Sequence, residues 1–247
     1  MYNFFITKEQ ITEDTAVISG NDFNHLVNVL RFKVGDEFLI SADGISHLCR
    51  LEQIDNEKVI AKIIKENFQD TSLPVSIILF QGLPKSDKME LIIQKAVELG
   101  AEKIIPVETE RSIVKIDKKK QSSKVERWQA IAESAAKQCK RSIIPKVELP
   151  LSFTQAVNEI GNYDLFIVPY ENALGMQVTK EVLSQIKPNM KIGVLIGAEG
   201  GFSQKEIDSV ITAGAKTISL GKRILRTETA AITSLSMLML HAEMHLN

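Results

Sequence analysis

Two stretches toward the C-terminal end carry residue types that could do chemistry. The first runs Ile192-Gly193-Val194-Leu195-Ile196-Gly197-Ala198-Glu199-Gly200-Gly201-Phe202-Ser203. An apolar run reaches three glycines within five residues. A helix start follows, since Ser203 and Glu206 have the S-x-x-E spacing of a capping box. Glycine lets backbone N–H and C=O groups come close to a flat ligand such as adenine. The carboxyl ends of parallel strands are where α/β folds bind ligands. The second stretch runs Ile218-Ser219-Leu220-Gly221-Lys222-Arg223-Ile224-Leu225-Arg226-Thr227-Glu228-Thr229-Ala230. Again a strand meets a glycine, a loop and then a helix, with Thr227 placed to cap it. Lys222, Arg223, Arg226 and one carboxylate, Glu228, gather at a helix N-terminus, a place that stabilises an anion. Neither stretch is a phosphate motif, because no G-x-G-x-x-G and no P-loop Lys-Ser/Thr is present. Taken alone, the glycines fit a tight strand–helix turn without a ligand equally well.

Two such loops converge only if one sheet carries both, and the pattern after residue 73 supplies that sheet. Apolar runs at 76–83, 103–107, 163–169, 191–196 and 216–220 read as strands. Helical periodicity covers 86–99, 124–140, 152–160, 178–186, 203–213 and 227 to about 245. Ser86 and Asp87 suit the start of the first helix and Gly100 its end. Trp128, Ile131 and Ala135 share one side of the second. Alternating strands and helices predict an α/β unit with a parallel sheet covered on both faces. Residues 1 to about 70 differ. Short β-prone runs at 4–6, 16–18, 37–41, 46–54 and 58–64 alternate apolar and polar residues, and Asp43-Gly44 is a hairpin turn signal. One helix interrupts them, with Asn21 or Asp22 as cap and Phe23, Leu26, Val27 and Leu30 as its apolar stripe. This part predicts a small β-barrel, joined through the linker at 70–74. The expected domains are therefore 1–72 and 73–247.

Bulk properties narrow the class. A chain of 247 residues, 44% hydrophobic and 25% charged, can bury a sizeable core and is not dominated by disorder. Cys49 and Cys139 form no CxxC pair, so neither a disulfide framework nor a thiolate zinc site is indicated. No signal-peptide core and no membrane-length apolar run occur, so the expected location is the cytoplasm. The net charge of −1 gives no bulk case for a nucleic-acid partner. Clusters do occur: Lys115, Lys118, Lys119, Lys120 and Lys124; then Lys137, Lys140 and Arg141; then Lys222, Arg223 and Arg226. Each reads equally as a solvated face. His241 and His245 lie four apart, but no third ligand accompanies them, and no metal is expected. His25 suits a structural hydrogen bond or an RNA contact. Trp128 has core spacing, and Cys139 reads as a buried small hydrophobe.

Taken together, G-A-E-G-G-F-S at 197–203 and S-L-G-K-R-I-L-R-T-E-T-A at 219–230 resemble the RsmE family of SPOUT methyltransferases. Further matches are His25-Leu26, Val29-Leu30-Arg31, Gly35-Asp36, Lys85, Lys88-Met89-Glu90, Lys95 to Gly100, Glu110-Arg111-Ser112, Arg127-Trp128, Gln138 and Arg141. The likeness covers nearly the whole chain in the expected order. The chain departs from the family at Ala198, where G-P-E-G-G is usual; proline would stiffen the loop.

The resemblance implies a C-terminal domain with a deep trefoil knot and an N-terminal PUA-like, RNA-holding barrel. It implies a homodimer paired through the knot region, for which Ala231, Leu235, Leu238 and Met239 offer apolar surface. It implies S-adenosyl-L-methionine as cofactor and N3 of a uridine in 16S ribosomal RNA as target, within the small ribosomal subunit. N3 is a Watson–Crick atom, so the base must be unpaired or flipped. The implied cofactor residues are Leu195, Gly197, Glu199, Gly200, Gly201, Leu220, Gly221, Ile224, Leu225 and Thr229. Arg226 is expected to stabilise the uracil anion, and Glu228 to orient Arg226 or help remove the proton. Arg31, Lys33, Arg111, Arg127 and Arg141 are expected phosphate contacts. Rival readings are a 2′-O-ribose methyltransferase of transfer RNA with the same cofactor geometry, and an RNA-binding ribosome-assembly protein without catalysis. The N-terminal barrel and the E-R-S segment argue against the first, the intact glycines with Arg226 and Glu228 against the second.

Overall fold

The structure, a computed structural model, describes residues 1–85, 87–173 and 175–246. Ser86, offered above as part of a helix start, lies outside them. By its contacts the chain divides into two compact units: Met1–Ser72 with Ala136–Ile144, and Leu73–Ala135 with Pro145–Asn247.

In the first unit, alternation builds the sheet. Its strands are β1 (Asn3–Phe5), β2 (Ile11–Thr12), β3 (Thr15–Ser19), β4 (Glu37–Ala42), β5 (Ile45–Ile54) and β6 (Lys58–Lys65). In β6, Val59, Ala61 and Ile63 are buried while Lys58, Lys62 and Ile64 are exposed. The sheet order is β1-β4-β5-β6-β3-β2, antiparallel except for β1 beside β4. Asp43 and Gly44 join β4 to β5 with φ of 47° and 83°. Both are positive, as a type I′ turn requires. Phe4 and Phe38 meet edge to face at 5.7 Å in the core.

The helix α1 (Gly20–Asn24) runs directly into a π-helical stretch, His25–Val29. Its cap position is Ser19, not Asn21 or Asp22. Both residues fall inside the first turn, and the Asp22 carboxylate pairs with Lys137 at 3.0 Å. His25, exposed, packs its ring edge against Phe4. Cys49 is buried, which pushes its thiol up to about 12. Cys139 is only half-buried, a correction to the sequence reading: it ends a helix whose last turn is partly open.

The second unit contains β7 (Ser76–Gly82), β8 (Lys103–Glu108), β9 (Lys146–Val147), β10 (Leu151–Ser152), β11 (Leu165–Pro169), β12 (Lys191–Ile196) and β13 (Lys216–Ile218). Every pairing among them is parallel, in the order β10-β8-β7-β12-β11-β13, with β9 also on β8. The helices are α2 (Lys88–Glu98), α3 (Lys118–Cys139), α4 (Phe153–Asn158), α5 (Gly175–Leu183), α6 (Gln204–Thr212) and α7 (Thr227–His245). Ile78, Phe80, Val107, Phe166 and Leu195 pack with residues of α4 and α6 on one face. Ile77 and Leu79, one position out of phase, are fully buried on the other, where α7 packs on β7 and β12 and α2 on α7. Burial on both faces explains why these strands read as continuous apolar runs.

The helix α3 begins six residues before the periodicity indicated. Asp117 caps it, its side chain and carbonyl accepting the Lys119 and Lys120 amides, so the lysine tract forms its first turns. The strand β13 stops at Ile218 because the Thr179 hydroxyl of α5 bonds the amide and the carbonyl of Ser219. Ala231, Leu235 and Leu238 are fully buried in the chain's own core, so they are not spare interface surface. Leu240 and Met244 are the exposed apolar residues of α7.

The tightest approach to backbone in this sheet is at Gly82. A Cβ there would lie 2.6 Å from the Ala198 nitrogen and 2.9 Å from the Gly197 carbonyl carbon. Backbone atoms cannot swing aside as a flexible side chain can. Gly82→Ala is therefore expected to destabilise the fold by about 1–3 kcal/mol, the usual scale of overpacking. Thermal unfolding checks this, and an unchanged Tm contradicts the close approach.

Candidate active site

At the carboxyl ends of β11 and β12 lies a cavity of about 460 Å³. Three chain segments wall it: Pro169–Glu171 after β11, Ile196–Phe202 after β12, and Leu220–Thr227 leading into α7. Lys88 of α2 and Ala230 of α7 complete the wall. Of the residues singled out above, Gly197, Glu199, Gly200, Gly201, Leu220, Gly221, Ile224, Leu225 and Arg226 lie on it together. Leu195 does not. It points into the core with Phe166 and Ile207, because side chains along β12 alternate between faces. Thr229 is exposed on α7 and off the wall; Glu228, also off the wall, is half-buried.

Local chemistry shapes each wall. Ser203 and Glu206 form the expected capping box at the start of α6. Ahead of it, the Gly201 amide closes a turn on the Ala198 carbonyl at 2.9 Å, with Gly201 at φ 63°. Thr227 is not the cap of α7; Arg226 is. The Thr227 hydroxyl is engaged elsewhere, donating to the Gly197 carbonyl at 2.6 Å and accepting from Gln81 Nε2 at 2.9 Å. This bond ties the start of α7 to the ends of β12 and β7. Arg226 is exposed, and its guanidinium bonds to no described residue.

Glu228 is not bonded to Arg226. Its Oε2 lies 3.2 Å from Lys88 Nζ, and the same ammonium lies 3.2 Å from Glu199 Oε1. That Glu199 oxygen also accepts the Lys85 amide at 3.0 Å. Burial alone would raise the Glu199 carboxyl. The Lys85 amide, its own backbone amide and Lys88 outweigh burial and hold it below the usual carboxylate value. Hydrogen bonding to Glu199 in turn raises Lys88.

The five residues expected to meet phosphate are divided. Arg31, at φ 58°, and Lys33 are exposed in the first unit. Arg141, in the same unit, is buried, and its carbonyl accepts the Asn3 amide. In the second unit Arg127 pairs with Glu90 at 2.7 Å. Arg111 donates through Nη1 to the Gly200 carbonyl at 3.0 Å, which makes it a brace of the glycine loop. A Cβ on Gly200 would lie 2.9 Å from Arg111 Cβ.

Residues 71–239 match the sequence model of the RNA methyltransferase domain, and residues 18–64 that of the RNA methyltransferase PUA domain. Ribosomal RNA small subunit methyltransferase E of Bacillus subtilis is 36% identical, over 99% of this chain and 98% of its own length. The chain belongs to the ribosomal RNA small subunit methyltransferase E family. The Synechocystis member is 32% identical over 95% of this chain and 76% of its own. The crystal structure of the Neisseria gonorrhoeae member, bound to S-adenosyl methionine, is 30% identical, covers 97% of each chain and superimposes with a TM-score of 0.84.

As a member of the ribosomal RNA small subunit methyltransferase E family, the protein is an RNA methyltransferase. Sequence reasoning missed three of its site features. Lys88 lines the cavity, yet in the sequence it is one lysine in a matched motif with no chemical signal of its own. Tyr170 and Glu171 follow a strand without any glycine signal, and Gln81 lies in a strand that reads as plain core. Among the described residues no three potential metal ligands cluster, and no helix is long and apolar enough to cross a membrane.

The lowered Glu199 value has a signed consequence. A carboxyl whose folded-state value lies below its unfolded one stabilises the fold above the unfolded value. That contribution disappears as pH falls through the lowered value. Between about pH 5 and about pH 3, wild type is expected to lose more stability than Glu199→Gln in denaturant titrations. Equal losses contradict the pairing.

Proposed function

We propose that this protein methylates N3 of a uridine in 16S ribosomal RNA of the small ribosomal subunit, with S-adenosyl-L-methionine as methyl donor. The observation that carries the reading is the convergence on one cavity of the 197–201 glycine loop and the cationic 220–227 loop. Relatives spanning the whole chain are ribosomal RNA small subunit methyltransferases, and one is solved with this cofactor.

The cavity fits the cofactor. Glycines at 197, 200 and 201 expose backbone groups, while Leu220, Ile224 and Leu225 offer apolar surface for a purine. Ile224 is 85% exposed, an unusual state for isoleucine that a bound ligand would relieve. Glu171 and Glu199 supply negative charge beside a cationic donor. The cofactor contributes an electrophilic methyl group on a sulfonium.

The protein's own task is to bring an anionic uracil in line with that methyl and exclude water. Arg226 stabilises charge developing on O2 or O4 of the base, since its guanidinium is exposed at the wall and unengaged. Glu228, paired with Lys88, holds the helix start that carries Arg226. Leu195 and Thr229 support the cofactor loops from behind the wall.

Residues 1–72 act as a PUA-like RNA-binding domain and 73–247 as the catalytic domain. Arg31 and Lys33 meet phosphate from the first, Arg127 from the second. Arg111 and Arg141 serve the RNA indirectly, one by bracing the glycine loop and the other by fixing Asn3. The passage of 219–226 from β13 back to β7 and β12 forms the trefoil knot of a SPOUT domain. Two copies pair through α7, where Leu240 and Met244 are exposed, and the enzyme works in the cytoplasm.

Two measurements test this. Ribosomal RNA from a strain lacking the gene is expected to contain no 3-methyluridine by nucleoside mass analysis; its persistence refutes the target. Arg226→Ala is expected to bind S-adenosyl-L-methionine within about threefold of wild type by calorimetry, yet lose about 10²–10³ in turnover. Surviving turnover removes Arg226 from its role.

A further inference from the structure

Lys88 is on the cavity wall but belongs to neither loop. It sits on the first turn of α2, and its ammonium lies 3.2 Å from a carboxylate on each side. Glu199 comes from the glycine loop after β12. Glu228 comes from the first turn of α7, two residues beyond Arg226. The Lys85 amide, one turn earlier, also reaches Glu199 Oε1. The start of α2 thus grips both halves of the site at once.

We propose that Lys88 is a positioning residue, one ammonium clamping the glycine loop to the start of α7 and so setting where the methyl donor lies relative to Arg226. The inference rests on the function proposed above and deepens it. Two carboxylates on separate segments repel each other when nothing lies between them. A cation midway reverses that sign and fixes the separation of the loops. At 3.2 Å on each side the contacts are ion pairs, and Glu228 Oε2, buried and without a hydrogen bond, has that ammonium as its charge partner. The pair is only partly exposed, so solvent screens it less than a surface ion pair. Methyl transfer depends steeply on such spacing, because a misplacement of about 1 Å can cost 10²-fold in rate. The remaining charges around the clamp are Glu171, Arg223 and Arg226 on the wall. None of them is bonded to Lys88, Glu199 or Glu228, so the three-group bridge is self-contained.

The test uses the full-length protein with Lys88→Met, Lys88→Arg, Glu228→Gln and the Lys88→Met/Glu228→Gln double variant. Calorimetry reads S-adenosyl-L-methionine affinity, and turnover is read separately at saturating cofactor. Thermal unfolding confirms that each variant is folded. Lys88→Met is expected to weaken cofactor binding about 10-fold and lower turnover by a further 10-fold or more. Lys88→Arg keeps a cation in place and is expected to stay within about threefold of wild type on both readouts. If the lysine acts through Glu228, the double variant loses no more turnover than Lys88→Met alone. Multiplying losses, or a folded Lys88→Met with wild-type binding and turnover, overturns the proposal. Should Lys88→Met fail to fold, Lys88→Arg decides, and more than a 10-fold loss in its turnover overturns it. An unaltered protein that binds no S-adenosyl-L-methionine is a different result. It overturns the functional reading, and this inference with it.

Discussion

One buried hydroxyl holds the active end of this protein together. Thr227 connects to Gln81, 146 residues earlier in the chain, and to Gly197, 30 residues earlier. A typical hydrogen bond contributes only about 0.5–1.5 kcal/mol net, but stripping the partner from a buried polar group costs about 1–3 kcal/mol. The position therefore tolerates little. Gly82 makes the same point sterically, since the backbone after β12 passes where a side chain would stand. Because Arg226 directly precedes Thr227, anchoring the hydroxyl also anchors the arginine. Its Cα is held about 3.8 Å from a fixed point, and the guanidinium is left to face the cavity.

The electrostatics follow from that anchorage. Under the proposed reaction, a cationic donor and an anionic acceptor need both signs of charge, kept from neutralising each other. Here Lys88 engages Glu199 and Glu228, and Arg226 pairs with neither. The chain as a whole is nearly neutral, at −1, so its chemistry depends on where charges sit and not on their sum. This is why net charge says little about an RNA substrate.

The sequence made much of this legible. The Asp43-Gly44 turn between the β-prone runs at 37–41 and 46–54 identifies the β4–β5 hairpin without further information. The apolar run at 191–196 coincides with β12, and the Ser203–Glu206 box marks the start of α6. What it hid has physical reasons. Thr227 has the composition of a cap, but tertiary partners outcompete the helix end for its hydroxyl. Asp117 caps α3 ahead of a lysine tract whose charge masks helical periodicity. Ser219 looks like strand, yet Thr179 supplies the bonds a neighbouring strand would. Arg111 has the charge of a phosphate contact but is used on a carbonyl. For Thr227, Ser219 and Arg111 a partner distant in sequence overrides a correct local signal.

The same partners account for Ala198. Proline at that position would limit the loop through its own φ. In this chain rigidity reaches the loop from outside. The Thr227 hydroxyl holds the Gly197 carbonyl, the Gly201 amide closes on Ala198, and Arg111 holds the Gly200 carbonyl. Glu206 accepts the amides of Glu110 and Ser203, and the Ser203 hydroxyl reaches Glu110. Lys85 and Lys88 grip Glu199. Gly197, Glu199 and Gly200 are thus bonded to groups outside the loop, and Ala198 and Gly201 to each other. A loop restrained at each of its residues gains little from one more fixed dihedral, because the entropy proline would remove has already been removed by folding. Alanine at 198 is compatible with a rigid loop for that reason.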